Sequence, residues 1–261
     1  MTAAGRRGPP LAATLRAIAG RHPEGWIFGL SAAAWWVWLT TPRLDPRLCV
    51  AIGRVLLGPS EAAALASSEA MAAMPWEWAL MVAAMMLPLA AAPARWAAFN
   101  SPSPRRLAAT AEVGLGFAAV WLAAGLVLVP SIVVASPLLG RQPIWTGVLA
   151  LAAATAWRRT PMAAAATRAC RRRPALAPRG WRADAGCLRF GAAQGGACVA
   201  SCWILMLCPM AAPGGAWLAP FLMPLLLVER LPARPPPGWR LASLGFAWLG
   251  LALCSVLTLR R

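Results

Sequence analysis

Long apolar runs separated by short arginine-bearing segments dominate the hydrophobic pattern of the chain. Most of the runs are close to the length of about 20 residues that an α-helix needs to cross a bilayer. Lipid offers the backbone no hydrogen-bond partner, so apolar runs of this kind form helices. The pattern therefore predicts an all-α, polytopic transmembrane bundle of about seven spans. In chain order, the predicted spans are residues 25–41, 74–92, 111–135, 143–157, 190–212, 214–228 and 239–259.

Polar segments divide the chain into a tail and a membrane domain. Residues 1–24 are predicted to form a basic cytoplasmic tail, and residues 25–261 a single transmembrane domain. The segment 158–189 carries nine arginines and is predicted to be a cytoplasmic loop. Residues 60–73 are predicted to form an interfacial helix, because Ser60 can cap it and an acidic residue follows in the first turn.

Pro88 interrupts the second predicted span. Proline lacks a backbone N–H, and its ring clashes with the carbonyl four residues earlier, so it kinks or ends a helix. We expect the span to kink or end there and a short basic loop to follow. The basic residues predicted for this loop are Arg95, Arg105 and Arg106.

The distribution of arginines predicts the orientation of the bundle. All 25 basic residues are arginine. With a cytoplasmic N-terminus and seven spans, 19 of them lie in inner segments and 6 in outer segments. This asymmetry follows the positive-inside rule. The first span is short, and without it six spans would remain and the basic tail would lie outside. The expected location is the bacterial inner membrane, with an uncleaved first helix.

Composition excludes several functions. A net charge of +17 raises the question of nucleic acid. Here the charge lies between apolar runs, so membrane topology explains it and the bilayer is the expected partner. The chain has no phosphate-binding glycine loop, nucleophile elbow or histidine metal motif. We therefore predict that it is not an enzyme.

The fifth predicted span carries an unusual set of donors. Steps of four residues put one stripe of side chains on a slowly winding face of the helix: Gln194, Cys198, Cys202, Met206 and Met210. Thiolate and thioether are soft ligands that suit Cu(I), and thiolate also suits Zn(II). Cys198 and Cys202 are within reach of one shared ion. If they form a site, both should face other helices rather than lipid.

Packing is the favoured interpretation of these residues taken alone. Cysteine behaves as a small hydrophobe, and the glycines and alanines of the same span favour close helix contact. Met81, Met85 and Met86 in the second span are also soft donors, but such methionines more often serve as adaptable packing. Glu112 and Glu229 are predicted to lie at the cytoplasmic boundary.

Motifs along residues 74–230 resemble those of a bacterial family, the predicted metal-binding integral membrane proteins of the domain of unknown function 2182. The second span carries Trp76, Met81, Ala84, Met85, Met86 and Pro88, and the third carries Gly116, Phe117 and Trp121. Thr160, Pro161 and Cys170 are similar to the inner-loop pattern. The fifth span carries Gly191, Gln194, Gly195, Cys198, Ser201, Cys202, Trp203 and Met206, and the next ends in Glu229 and Arg230.

The chain departs from the family pattern at several positions. Gln194 stands where the family usually has histidine, and Ser201 where it has a further cysteine. In the inner loop, Ala166 replaces an expected cysteine, and Trp157 and Arg158 replace a Tyr-Gln pair.

The resemblance implies a membrane protein that binds or handles a soft metal ion, either copper or zinc. The implied donors are Cys198 and Cys202 as core ligands, Met206 and Cys170 as helpers, and Ser201 and Gln194 as weaker donors. One alternative is a structural or partner-binding membrane subunit without metal. Another is a small-solute permease, for which the chain has few polar residues to line a cavity.

Overall fold

The computed structural model describes residues 20–40, 74–135, 143–211 and 218–230, together with residues 245, 248, 249 and 252. All regular secondary structure in these ranges is helical, which confirms the all-α class for the described part. The predicted interfacial helix 60–73, most of the tail 1–24 and most of the predicted span 239–259 lie outside the described residues.

Seven helical segments follow one another along the described ranges. They are α1 (Gly25–Thr40), α2 (Met74–Phe99), α3 (Arg106–Ala135), α4 (Pro143–Arg158), α5 (Pro161–Ala169), α6 (Trp181–Ala211) and α7 (Ala219–Arg230). Within the described ranges, three stretches are long and apolar enough to cross a membrane, namely Met74–Phe99, Ser103–Ser131 and Trp181–Met210. The seven-span arrangement and the cytoplasmic N-terminus remain predictions.

The segment predicted as the basic loop 158–189 contains more helix than expected. Helix α5 lies inside it, and α6 begins at Trp181 within it. Thr160 starts α5 as an N-cap: its Oγ1 accepts a hydrogen bond from the backbone N–H of Ala163, 3.2 Å away. Pro161 follows in the first turn, where proline is well tolerated. Local capping and alanine-rich sequence thus form helix where charge alone indicated a loop.

A kink and a helix end were both expected at Pro88. The structure shows that the second span does not end there. Helix α2 instead passes through a π-turn, Val82–Met86, and a 3₁₀ turn, Leu87–Ala90, before it returns to α-helix. The missing N–H of Pro88 would leave the carbonyl of Ala84 without its usual donor. Ser31 of α1 supplies one, because its hydroxyl donates to that carbonyl at 2.7 Å.

The basic residues after Pro88 are therefore mostly helical. Arg95 lies within α2, Arg105 closes a short 3₁₀ turn, and Arg106 begins α3. The predicted loop is present but shorter: it covers residues 100–105 and contains Arg105, while Arg95 and Arg106 are helical, because the π-turn absorbs the effect of the proline and the helix continues to Phe99.

Helices α3 and α6 approach until their backbones touch. A Cβ atom on Gly191 would overlap the carbonyl of Val113, and one on Gly116 would overlap the carbonyl of Leu188. Small residues allow this approach, which is the usual way that helices pack in membranes. No larger side chain fits at either glycine unless the two backbones move apart.

The two helices run parallel. The residue numbers of contacting pairs increase along both helices together: Arg105 contacts Asp184, Val113 contacts Gly191, and Phe117 contacts Gly195. One predicted span lies between the third and the fifth, so these two spans are expected to run in the same direction. The parallel arrangement of α3 and α6 agrees with that expectation.

Ionic and indole hydrogen bonds fasten the ends of these helices. Arg105 donates to Glu112 at 2.6 Å and to Asp184 at 2.5 Å, which ties the start of α3 to the start of α6. Glu112, predicted as a boundary acid, is thus paired. Halfway along α3, the indole N–H of Trp78 donates to the carbonyl of Trp121 at 2.9 Å, which joins α2 to α3.

We predict that Gly191→Ala lowers the stability of the bundle by about 1–3 kcal/mol, because the new methyl group must push α3 away. Gly196→Ala on the same helix is the matched control. A Cβ there meets nothing within 4 Å, so this variant should be neutral or gain up to about 1 kcal/mol from helix propensity. Thermal unfolding in detergent measures both. Equal unfolding temperatures for the two variants would contradict the close contact.

Candidate metal centre

Cys198 and Cys202 lie side by side in α6. Their Sγ atoms are 3.7 Å apart. That distance is far beyond the length of about 2.05 Å of a disulfide bond, so the two residues are thiols. Cys198 is 0% exposed and Cys202 is 1% exposed. The prediction that both face other helices is therefore confirmed.

A kink in α6 contributes to this pairing. Cys202 has φ −140° and ψ 15°, which is not helical. The hydroxyl of Ser201 donates to the carbonyl of Cys198 at 2.9 Å, and the thiol of Cys202 donates to the same carbonyl at 3.0 Å. Side chains that bond back to the preceding turn bend helices. Pro209 lies two turns further on, so the kink belongs to the cysteine turn itself.

The cysteine pair belongs to the main buried cluster of the bundle. Sulfur is concentrated there: besides the pair, the cluster contains Met81, Met85, Met86, Met206 and Cys208. Met206 and Met85 are completely buried. Aromatic and aliphatic side chains from the neighbouring helices, among them Trp78, Phe117, Trp121 and Leu151, fill the rest of the cluster. The pair thus lies in an apolar, sulfur-rich environment.

The donor set fits a soft metal ion. Two sulfurs bound at about 2.3 Å to one ion, at a tetrahedral angle, lie about 3.8 Å apart. The observed separation of 3.7 Å matches this value. Sulfur donors select Cu(I) and zinc over hard cations. The described residues contain no group of three or more His, Cys, Asp or Glu side chains able to hold a metal, so a site here needs methionine as a further donor.

Gln194 extends the stripe toward the end of the bundle that carries the segment 158–189. It is 3% exposed, and its Nε2 donates to the carbonyl of Arg172 at 3.3 Å. Its Oε1 is buried without a hydrogen-bond partner. Cys170, two residues before Arg172, is also buried. Gln194 lies one helical turn, about 6 Å, from Cys198, and its bond to Arg172 brings the segment that contains Cys170 to the loop end of the stripe.

The remaining predicted donors have different settings. Ser201 is buried, and its hydroxyl donates its hydrogen bond to the carbonyl of Cys198. Met210 is only partly buried and packs at the edge of the main cluster. The indole of Trp157 donates to the carbonyl of Ala200 at 3.0 Å. Trp157 therefore holds α4 against α6 near the kink.

Sequence reasoning missed the arrangement of the second-span methionines. Met85 and Met86 are neighbours in sequence, and successive residues of an α-helix point about 100° apart. Both are nevertheless completely buried, as is Met81 to within 1%. All three belong to the π-turn or the residue that precedes it. The signal available in the sequence was Pro88, two residues after Met86.

Comparison with known proteins gives one result. A protein-family model described as PpoB2, copper chaperone, matches residues 75–253, which is well over half of the chain. The match covers the cysteine pair, Met206, Cys170 and the methionines of α2. No curated protein and no solved structure matches the chain.

We predict that Cys198 and Cys202 resist alkylation by a thiol reagent in the folded protein and react fully after denaturation, because both are buried. Mass spectrometry of peptides reads each cysteine separately. Rapid labelling of either residue in the folded state would contradict their burial in the helix bundle.

Proposed function

The chain belongs to the PpoB2 copper chaperone family, and we propose that it carries Cu(I) as cargo within the membrane, between the sulfurs of Cys198 and Cys202. The observation that carries this proposal is the buried pair of sulfurs 3.7 Å apart. Copper chaperone is the family's description, and the cysteine pair supplies donors of the right softness.

The thiols are protonated until the ion arrives. The thiolate is the form that binds metal, so binding releases protons. Before that, the thiol of Cys202 donates to the carbonyl of Cys198, which keeps the unloaded pair neutral in an apolar core. A bare thiolate there would be costly. The pair is therefore neutral when unloaded, and binding exchanges two protons for one Cu(I) ion, so that the loaded pair carries a net charge of −1.

Met206 and Cys170 are the proposed helpers. Met206 follows Cys202 by one turn on the same buried stripe, and its thioether adds a neutral soft donor. Cys170 belongs to the segment that Gln194 bonds to through the carbonyl of Arg172, and an ion arriving from the basic side would meet this end of the stripe first. Ser201 and Gln194 are weaker, oxygen-bearing donors. No catalytic role is proposed for any of these residues.

The proposed location is the bacterial inner membrane, with several membrane-spanning helices and a cytoplasmic N-terminus. Three long apolar helices support a membrane location. Large apolar side chains also lie exposed on the outer faces of α1 and α3: Trp36, Leu115, Leu126 and Val127. Exposed apolar surface of this extent in a helical bundle suits contact with lipid. The arginine distribution and the parallel α3 and α6 agree with the seven-span order.

We predict that the purified protein binds close to one Cu(I) ion, and that Cys198→Ser combined with Cys202→Ser abolishes this binding. Zn(II) binding, if present, should be lost with it. Cys187→Ser is the matched control, because Cys187 is a buried cysteine of the same helix but belongs to a separate cluster. Metal content is measured after gel filtration for the wild type, the double variant and the Cys187→Ser control. Unchanged copper in the double variant would refute the ligand assignment and favour a structural subunit without metal.

We also predict that a reporter fused after Arg261 is active only outside the cytoplasm, because seven spans starting from an inner N-terminus end outside. Paired reporters, one active in each compartment, measure the location. A cytoplasmic signal would contradict the seven-span order.

A further inference from the structure

Trp157 contacts α6 on both sides of the kink at Cys202. Before the kink, its indole N–H donates to the carbonyl of Ala200 at 3.0 Å. After the kink, its ring packs edge-on against the ring of Trp203, with 5.8 Å between the ring centroids. Ala200 lies two residues before Cys202, and Trp203 follows it directly. One side chain of α4 therefore spans the residue at which α6 departs from helical geometry.

The carbonyl of Ala200 is one that the kink affects. In a regular helix it would accept a hydrogen bond from the backbone N–H of Ile204, four residues further on. Cys202 lies between this acceptor and this donor, and its φ of −140° is far from the helical value of about −63°. The indole of Trp157 supplies the carbonyl with a donor from a neighbouring helix. This bond does not depend on the path of α6 beyond the kink.

The backbone angle at Cys202 also sets the position of its sulfur. Rotation about the N–Cα bond moves the Cβ and Sγ atoms of Cys202 relative to the preceding turn, which contains Cys198. The observed φ differs from the helical value by about 80°, and with this angle the two Sγ atoms are 3.7 Å apart. A contact that holds the kink therefore also holds the distance between the two sulfurs.

Trp157 is itself held in place. Its backbone carbonyl accepts hydrogen bonds from the hydroxyl of Thr160 at 2.7 Å and from the backbone N–H of Thr160 at 2.9 Å. Thr160 is the N-cap of α5. Leu151 and Ala154, which precede Trp157 in α4, are buried in the main cluster. The indole thus projects from a helix that is fixed at its end by the cap of α5 and along its length by core packing.

We propose that Trp157 is a positioning residue for the cysteine pair: it bridges the kink in α6 and keeps the sulfurs of Cys198 and Cys202 at the separation that a shared Cu(I) ion requires. This inference rests on the proposed function and adds a contribution from α4, which supplies no ligand to the ion. Groups that orient metal ligands without binding the metal commonly change metal affinity by about 10- to 100-fold when they are removed.

The test removes the indole N–H and keeps an aromatic ring. Trp157→Phe is made in the full-length protein. Trp78→Phe is the matched control, because the indole of Trp78 also donates one hydrogen bond to a helix carbonyl, that of Trp121, but does so between α2 and α3. Both variants lose one such bond, and their thermal midpoints report the general loss of stability.

Amide hydrogen exchange tests whether the indole holds the cysteine turn. Exchange over residues 198–206 is measured in the copper-free protein by mass spectrometry. It should be about two- to tenfold faster in Trp157→Phe than in the wild type, the size expected for the loss of one hydrogen bond. It should be unchanged in Trp78→Phe, whose lost bond lies on other helices.

Copper binding then tests whether holding the turn positions the ligands. Cu(I) affinity, measured by competition with a Cu(I) chelator, should fall by about 10- to 100-fold in Trp157→Phe and stay within about twofold of the wild type in Trp78→Phe. In copper-saturated protein, X-ray absorption should show a wider spread of copper–sulfur distances in Trp157→Phe only. A loss of stability alone would leave that spectrum unchanged.

If Trp157→Phe does not fold, Trp203→Leu removes the contact after the kink and is judged by the same measurements. Unchanged hydrogen exchange over residues 198–206 would overturn the inference. So would a Cu(I) affinity of Trp157→Phe within about twofold of the wild type, or equal losses of affinity in Trp157→Phe and Trp78→Phe.

The outcome is separable from that of the proposed function. If Cys198→Ser with Cys202→Ser abolishes Cu(I) binding but Trp157→Phe binds Cu(I) as tightly as the wild type, the cysteine site stands and the role of Trp157 falls. If the cysteine variant retains Cu(I), the proposed function fails and the role of Trp157 toward the ion falls with it. Hydrogen exchange then still shows whether the indole holds the turn.

Discussion

The backbone contact between α3 and α6 is the constraint on which the rest of the bundle depends. Gly191 and Gly116 leave no space for a Cβ atom, so the two backbones meet in the register that these glycines allow. That register points the cysteine face of α6 into the centre of the bundle instead of toward lipid. The ion pair of Arg105 with Asp184 joins the starts of the two helices, and the indole of Trp78 holds α2 against the middle of α3.

Two irregular turns lie within this frame, in the cluster that contains the buried sulfur atoms. In α6, the carbonyl of Cys198 accepts bonds from the side chains of the next turn, and the helix kinks at Cys202. In α2, Pro88 forces a π-turn that Ser31 stabilises from α1. Regular helices would give evenly spaced side chains. Both departures from regularity lie within the buried cluster that contains the thiols and thioethers.

Much of this could be predicted from residue spacing, and some could not. Hydrophobic run length predicts the helices, and four-residue steps predict the buried cysteine pair, because both follow from local geometry. The path of α2 beyond Pro88 could not be predicted, since it depends on a hydrogen bond from the hydroxyl of Ser31, which lies on another helix and more than fifty residues away in sequence. The helix inside the segment 158–189 was not predicted, because the nine arginines indicated a loop and the capping residue Thr160 was not taken into account.

The central claim is that sulfur from the helix bundle binds Cu(I), and X-ray absorption at the copper edge tests it most directly. The Cu(I)-loaded protein should show a first shell made only of sulfur. In the variant with Cys198 and Cys202 both replaced by serine, that all-sulfur spectrum should be absent. A wild-type first shell dominated by nitrogen or oxygen would contradict the account, because the buried cluster around Cys198 offers sulfur as its soft donor.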